Sequence, residues 1–260
     1  MSARAPATLS TFTLLRFDNR QRWWMWLQMA LARPQLARTP GLRFWKLLGA
    51  GKDGGFSLQP DFNRFGLLLV WEQASSAQDF FNASTLFHAL HQRAAERWTA
   101  FLLPIQARGA WNRRQPFVPA SSQEWALVAP IAVLTRATIR LAHLRDFWAH
   151  VPSANIALTQ TEGVLFSIGV GEMPLARQAT FSVWRDIEAI HRYAHRTRGH
   201  TEALRRARRE HWYAEELFAR FAVLATEGSW CGQDPLGGSL AANPPLSSSQ
   251  SRRPPQWLDR

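Results

Sequence analysis

Phe65–Gly66–Leu67–Leu68–Leu69–Val70–Trp71 is an unbroken apolar run. A short run of this kind, rich in strand formers, reads as a strand buried on both faces. Its neighbours set the order of elements. Residues 41–48 form a strand before it, joined through a Gly-rich loop at residues 49–56. Residues 21–36 carry Trp23, Trp26, Leu27, Ala30 and Leu31 at helical spacing, the apolar face of a helix that frays at Pro34. Residues 11–17 alternate weakly and favour a strand. After the run, residues 77–98 read as one long helix with Phe80, Phe81, Leu86, Phe87 and Leu90 inward. The order is strand, helix, strand, strand, helix.

The second half follows the same order. Residues 125–139 hold a strand, and residues 141–150 form a helix stopped by Pro152. Residues 163–170 and 179–184 are strands, and residues 185–196 and 200–221 are helices. The expected class is therefore α+β, with tandem ferredoxin-like modules whose antiparallel sheets pack together as in dimeric α/β barrels. The modules are assigned to residues 11–118 and 119–231, after a disordered lead at residues 1–10. No sequence identity between the halves supports the repeat, which rests on pattern. Residues 232–260 are dominated by Gly, Pro and Ser, as in Gly237–Gly238–Ser239 and Pro244–Pro245, and read as a disordered tail.

Composition narrows the partners. The 31 basic and 19 acidic residues give a formal charge of +12, and Lys46 and Lys52 are the only lysines. This balance suits an acidic protein, an anionic membrane surface or nucleic acid. Thirteen Trp and sixteen Phe supply contact area for a core or for a bulky apolar ligand. Cys231 is the single cysteine, so a disulfide within the chain and a cysteine-ligated metal site are excluded, as suits a reducing cytoplasm. The longest apolar run, residues 125–134, is too short to span a membrane, and Arg16 and Asp18 interrupt the only early apolar stretch, so no signal peptide is expected.

Common catalytic motifs fail on spacing. In residues 49–55 the Gly-Lys pair is followed by Asp53 and then a strand, so it is an inter-strand loop rather than a phosphate-binding loop. No GxSxG elbow is present. His191 and His195 are four apart, but HExxH is absent and no third zinc ligand is evident. On a helix at residues 200–221, His200, Ala203, Ala207 and His211 share one face, while most of the Arg205–Arg209 run lies elsewhere. Small alanines beside an inward imidazole leave space for a flat ligand such as haem, with His200 as the metal ligand. A hydrogen-bonded core histidine fits the same pattern. The arginine run reads as a solvated helix face, and no base-stacking motif accompanies it, so nucleic acid is not an expected partner.

Five blocks together resemble the spheroidene monooxygenase family. They are Leu31–Ala32–Arg33–Pro34 with residues 40–47; residues 98–103 with Arg108–Gly109–Ala110–Trp111; residues 132–137 with Phe147–Trp148; residues 163–174, including Gly171–Glu172, with residues 178–184; and Gly199–His200 with residues 211–221. The resemblance runs in order over about residues 12–230. It implies a bacterial carotenoid oxygenase that hydroxylates, then ketolates, the terminal carbon of an acyclic carotenoid, using O2 and reduced ferredoxin. The family is regarded as haem-containing, and its modules would resemble those of chlorite dismutase and aldoxime dehydratase. The resemblance implies haem b with His200 as proximal ligand, and catalytic roles for His200 and His211. Arg136 and Arg177 are candidates for the haem propionates, with Ala203 and Ala207 beside the macrocycle. Trp23, Trp26, Phe44, Trp45, Phe166 and Trp184 are candidates for a carotenoid groove. The expected location is cytoplasmic, in peripheral contact with lipid at the inner membrane. Ser167 departs from the family pattern, where lysine is frequent, which leaves the substrate open between spheroidene and another acyclic or hydroxylated xanthophyll.

Overall fold

A computed structural model describes residues 8–52, 59–120, 130–173, 175–196, 205–207 and 209–237. The first half runs β1 (Leu9–Arg16), α1 (Arg22–Ala37), β2 (Leu42–Gly51), β3 (Pro60–Trp71), α2 (Ala74–Ala83), α3 (Thr85–Arg93) and β4 (Glu96–Gly109). The second runs β5 (Ile131–Ile139), α4 (Leu144–Thr159), β6 (Val164–Met173), β7 (Arg177–Trp184), α5 (Ile187–Arg196) and β8 (Tyr213–Gly228). The eight strands close into a barrel in the order β1-β3-β2-β6-β7-β5-β8-β4, and every pairing is antiparallel. Each half thus contributes the same local order, β4-β1-β3-β2 and β8-β5-β7-β6.

Period-two alternation sorts each strand between two layers. Phe12, Leu14, Leu68, Val70, Trp98, Leu134, Ile168, Phe181 and Phe221 fill the barrel. The opposite positions of the first half, such as Leu15, Leu67, Leu69, Trp71 and Phe101, pack under α1, α2 and α3 with Phe80, Phe81 and Phe87. Leu67–Val70 is buried throughout because both of its faces meet a layer.

Two long helices expected from the sequence are corrected. The first divides at Ser84, whose extended backbone ends α2 and whose Oγ accepts from the Phe87 N–H to cap α3. The chain then extends into β4, so Glu96, Arg97 and Trp98 are strand residues. The second gives way to β8. Local composition there favours a helix, but Leu217, Ala219, Phe221 and Val223 alternate into the barrel, and both edges of β8 are paired, to β4 and to β5. Tertiary pairing outweighs propensity. Pro152 does not stop α4, which continues to Thr159; the proline is exposed, where solvent can satisfy the carbonyl left without a donor. At the ends, β1 begins inside the expected lead, and the expected tail contributes Leu236 to the barrel core.

β4 and β8 end alike. Gly109 and Gly228 both have φ +83, and a Cβ on either would lie about 2 Å from the other strand's backbone, at Glu216 O and Arg97 O respectively. Each glycine leads into a tight turn, closed by Trp111 with Arg114 and by Trp230 with Gln233.

Candidate active site

Charge collects inside one end of the barrel. Phe44, Leu48 and Ala50 point inward from β2, and Lys46 lies between them on the same face. Arg136 follows Ala132 and Leu134 inward from β5, and Glu172 follows Ile168 and Val170 from β6. Lys46 Nζ pairs with Glu172 Oε1, the Trp111 indole donates to Glu172 Oε2 at 2.7 Å, and Arg136 Nη2 donates to the same oxygen at 3.3 Å. Arg136 Nη1 also pairs with Glu215, which accepts the backbone N–H groups of Asn112 and Arg113 at 3.0 and 2.6 Å. Burial alone would raise the Glu172 carboxyl, but Lys46, Trp111 and Arg136 hold it below its ordinary value. Arg136 Nε is buried without a hydrogen-bond partner among the described residues. Each of the five sequence blocks supplies one member of this network.

The outer face of the second half is built differently. Side by side across β8, β5, β7 and β6 lie Phe218, Thr135, Thr180 and Gly169, and next to them Arg220, Val133, Ser182 and Ser167. The matching face of the first half carries Leu67, Leu69, Trp71 and Phe101. Beneath α4 and α5 the buried cluster is small: Ile131, Val133, Leu158, Trp184, Ala189 and Ile190. Thr135 is exposed although its strand is paired on both sides. Tyr193 of α5 packs on Trp184 with ring centroids 5.3 Å apart, and burial pushes its hydroxyl up to about 12. The helices therefore meet the sheet at one side of the face, leaving a floor of small and polar side chains beside them.

Two cations border that floor. The Arg108 and Arg220 guanidinium groups lie 4.9 and 5.4 Å from the Phe218 ring centroid. Neither has a carboxylate partner among the described residues, and Arg220 Nε is buried without a hydrogen bond. Burial, and then the neighbouring Arg108 charge, lower the Arg220 guanidinium from its ordinary value. A flat apolar ligand with carboxylate arms fits this donor set: small side chains beneath a plane and two uncompensated cations at its rim.

The residues expected from sequence are dispersed. His200 and Ala203 lie outside the described residues, between α5 and β8. Ala207 is buried and its carbonyl accepts the Trp212 N–H, whereas His211 is exposed with φ 53, because the helix has ended before it. Arg136 faces the barrel interior and is held by two carboxylates, on the side of β5 away from the helices; Arg177 is exposed. The six aromatics do not share a groove. Trp23 and Trp26 are on the exposed side of α1, Phe44 and Phe166 contact the barrel core, Trp45 packs under the first helical layer, and Trp184 packs under the second. Sequence reasoning missed Glu172, Glu215, Trp111, Arg108 and Arg220. It also missed the buried Trp212, whose ring lies 6.1 Å from His143 and 5.6 Å from His150.

The architecture is that of an eight-stranded antiparallel barrel with helices packed outside it. It is shared with solved aldoxime dehydratases. One, crystallised with butyraldoxime, aligns with TM-score 0.60 and 11% identity over 90% of this chain and 86% of its own. Another aligns with TM-score 0.53 and 11% identity over 84% and 81%. No protein-family model matches the chain. Similarity over the sequence is much higher to spheroidene monooxygenases: 36% identity to that of Cereibacter sphaeroides over 91% of this chain and 72% of the relative. For that of Rhodobacter capsulatus it is 35% over 89% and 97%. The chain belongs to the spheroidene monooxygenase family.

Proposed function

We propose that this protein is a haem-dependent monooxygenase that hydroxylates and then ketolates the terminal carbon of an acyclic carotenoid. Membership of the spheroidene monooxygenase family carries the carotenoid substrate. The small and polar side chains on the outer face of β5–β8 support a flat cofactor in the second half. We read the two halves as ferredoxin-like modules, residues 11–118 and 119–231, and assign the cofactor to the second.

When bound, haem would supply the activation of O2 at its iron, with electrons from reduced ferredoxin. The residues of this chain hold and orient. His200, from the segment that follows α5, is assigned as the residue that would ligate the iron, which would require a neutral imidazole whose other ring nitrogen donates to an acceptor. Arg108 and Arg220 would hold the propionates, in place of Arg136 and Arg177, because Arg136 is already paired inside the barrel. Gly169, Thr180, Thr135 and Ser167 would supply the small and polar surface that meets the macrocycle, with Ala203 and Ala207 assigned beside it from the sequence. The basic surface suits an acidic ferredoxin and anionic lipid, and the protein is assigned to the cytoplasmic side of the inner membrane, in peripheral contact with it.

Purified protein expressed with adequate haem supply is expected to show a Soret band, and to convert spheroidene to its ketone with O2 and a reduced-ferredoxin system. The band is expected to shift or vanish in His200→Ala. A colourless protein that still converts the carotenoid would overturn the cofactor assignment. A haem protein inert towards acyclic carotenoids would overturn the substrate assignment.

A further inference from the structure

α1 turns its apolar stripe outward. Met25, Ala32 and Leu36 are the residues it buries against the first-half sheet, with Trp24 and Met29 partly covered. Trp23 is 84% exposed, Leu27 55%, Leu31 47% and Trp26 42%. These four recur at helical spacing on the opposite side. Phe62 of β3, 47% exposed, extends the patch: its ring centroid lies 5.8 Å from that of Trp26. An apolar patch of five large side chains on one surface is unusual for a soluble face and marks an interaction site.

The surroundings of the patch are cationic. Residues 19–52 contain no Asp or Glu. Arg20, Arg33 and Arg38 are exposed at the two ends of α1. The nearest carboxylate on β3, Asp61, is paired with Arg64 at 3.1 Å. Apolar side chains centred on tryptophan, with arginines at the margins, match the boundary between acyl chains and anionic headgroups. A second copy of this chain is a poorer occupant, since a two-fold contact through α1 would set the same arginines against each other.

We propose that the outer face of α1, with Trp23, Trp26, Leu27, Leu31 and Phe62, docks the protein on an anionic lipid bilayer. The tryptophans and leucines enter the headgroup region, and Arg20, Arg33 and Arg38 meet lipid phosphates. α1 lies in the plane of the surface, held to the barrel by Met25, Ala32 and Leu36. The inference deepens the lipid contact of the proposed function by naming the surface, and it does not depend on the haem or on the carotenoid.

Flotation of the full chain with vesicles tests it. Binding is expected to vesicles of phosphatidylcholine with phosphatidylglycerol, weakly to phosphatidylcholine alone, and less at high salt. Trp23→Ser with Leu27→Ser is expected to weaken binding by about tenfold or more while leaving thermal unfolding unchanged, because both side chains are exposed. Arg33→Gln is expected to lower binding only where phosphatidylglycerol is present. Equal binding by the double variant overturns the surface and leaves lipid contact standing elsewhere on the protein. No binding by the native chain overturns both. A native dimer that the double variant converts to monomer, without lipid binding, assigns the patch to contact between copies and overturns the proposal. Turnover of carotenoid in detergent micelles by the native protein tests the proposed function separately.

Discussion

Glu96 and Glu215 hold corresponding places in the two halves of the barrel, and each binds the turn that follows the other's strand. Glu215, in β8, accepts the N–H groups of Asn112 and Arg113 just beyond β4. Glu96, at the start of β4, accepts the Gly232 N–H at 2.7 Å just beyond β8. Each also pairs with an arginine of the neighbouring strand, Arg136 and Arg16 respectively. The turns carry left-handed residues, Asn112 and Arg113 in one, Cys231 and Gly232 in the other, so their N–H groups converge on a single carboxylate.

Acid is therefore expected to loosen the β4–β8 joint. For both glutamates burial works to raise the carboxyl, but the turn N–H groups and the paired arginines outweigh it and hold the folded-state pKa below the ordinary value. A depressed carboxylate contributes stability that is present above its unfolded pKa and lost as pH falls through the folded one. Glu172 acts in the same sense. Melting temperature should be flat through neutral pH and fall once the pH drops below the ordinary carboxylate range. Glu96→Gln with Glu215→Gln should melt lower at neutral pH and show a shallower acid decline, measured by circular dichroism. An unchanged slope would show that other groups control acid unfolding.

The Lys46–Glu172 pair crosses the thinnest seam of the barrel. β2 and β6 share only the register pairs Gly49↔Gly171 and Ala50↔Val170, whereas β4 and β8 pair from Trp98↔Gly228 to Gly109↔Leu217. Glu172→Ala would leave Lys46 and the Trp111 indole buried without their acceptor, at a cost of roughly 3–5 kcal/mol. Lys46→Met with Glu172→Leu removes both charges and should cost clearly less. Denaturant unfolding of the two variants decides: equal losses would mean that packing, rather than an uncompensated charge, sets the effect.

The order of strands and helices was legible because runs such as Phe65–Trp71 are apolar on both sides of the sheet. β4 and β8 were not, because Ala, Glu, Leu and Arg dominate residues 213–220 and the alternation of Leu217, Ala219 and Phe221 also satisfies a helix over short range. The halves share a short motif only at matching strand ends, Gly109–Ala110–Trp111 and Gly228–Ser229–Trp230, too brief to mark a repeat without the fold. The charged network could not be read, since Lys46, Trp111, Arg136, Glu172 and Glu215 meet only through strand pairing. The same is true of Arg108 and Arg220. On a helix Arg220 has no relation to Arg108; on β8 it is two residues along the strand from Phe218, on the same face, and Phe218 is the residue opposite Arg108.

That placement predicts how the carboxylates of the proposed haem would be held. Arg108→Gln and Arg220→Gln should each weaken binding of haemin to apoprotein by about tenfold, since each removes one charge-assisted hydrogen bond. Haemin dimethyl ester, which lacks the anionic carboxylates, should bind the native protein and both variants alike. Absorbance titration supplies the affinities without turnover. If both variants lose affinity equally for haemin and for its ester, the arginines support the fold rather than the propionates.

The floor itself can be filled. Thr135 is exposed at the centre of β5, between Phe218 and Thr180 on its neighbours. Because Thr135 is exposed, a tryptophan there displaces no buried side chain among the described residues, and the barrel should fold with an unchanged far-ultraviolet spectrum and a melting temperature within a few degrees of native. The added indole would occupy the plane assigned to the macrocycle. Thr135→Trp should therefore lose the Soret band, while Thr135→Ser keeps it, because serine retains the small polar surface. Haem retained at native occupancy in Thr135→Trp would place the cofactor away from this face. It would also remove the physical reason for the contrast between Leu67, Leu69 and Trp71 on the first half and Thr135, Thr180 and Gly169 on the second.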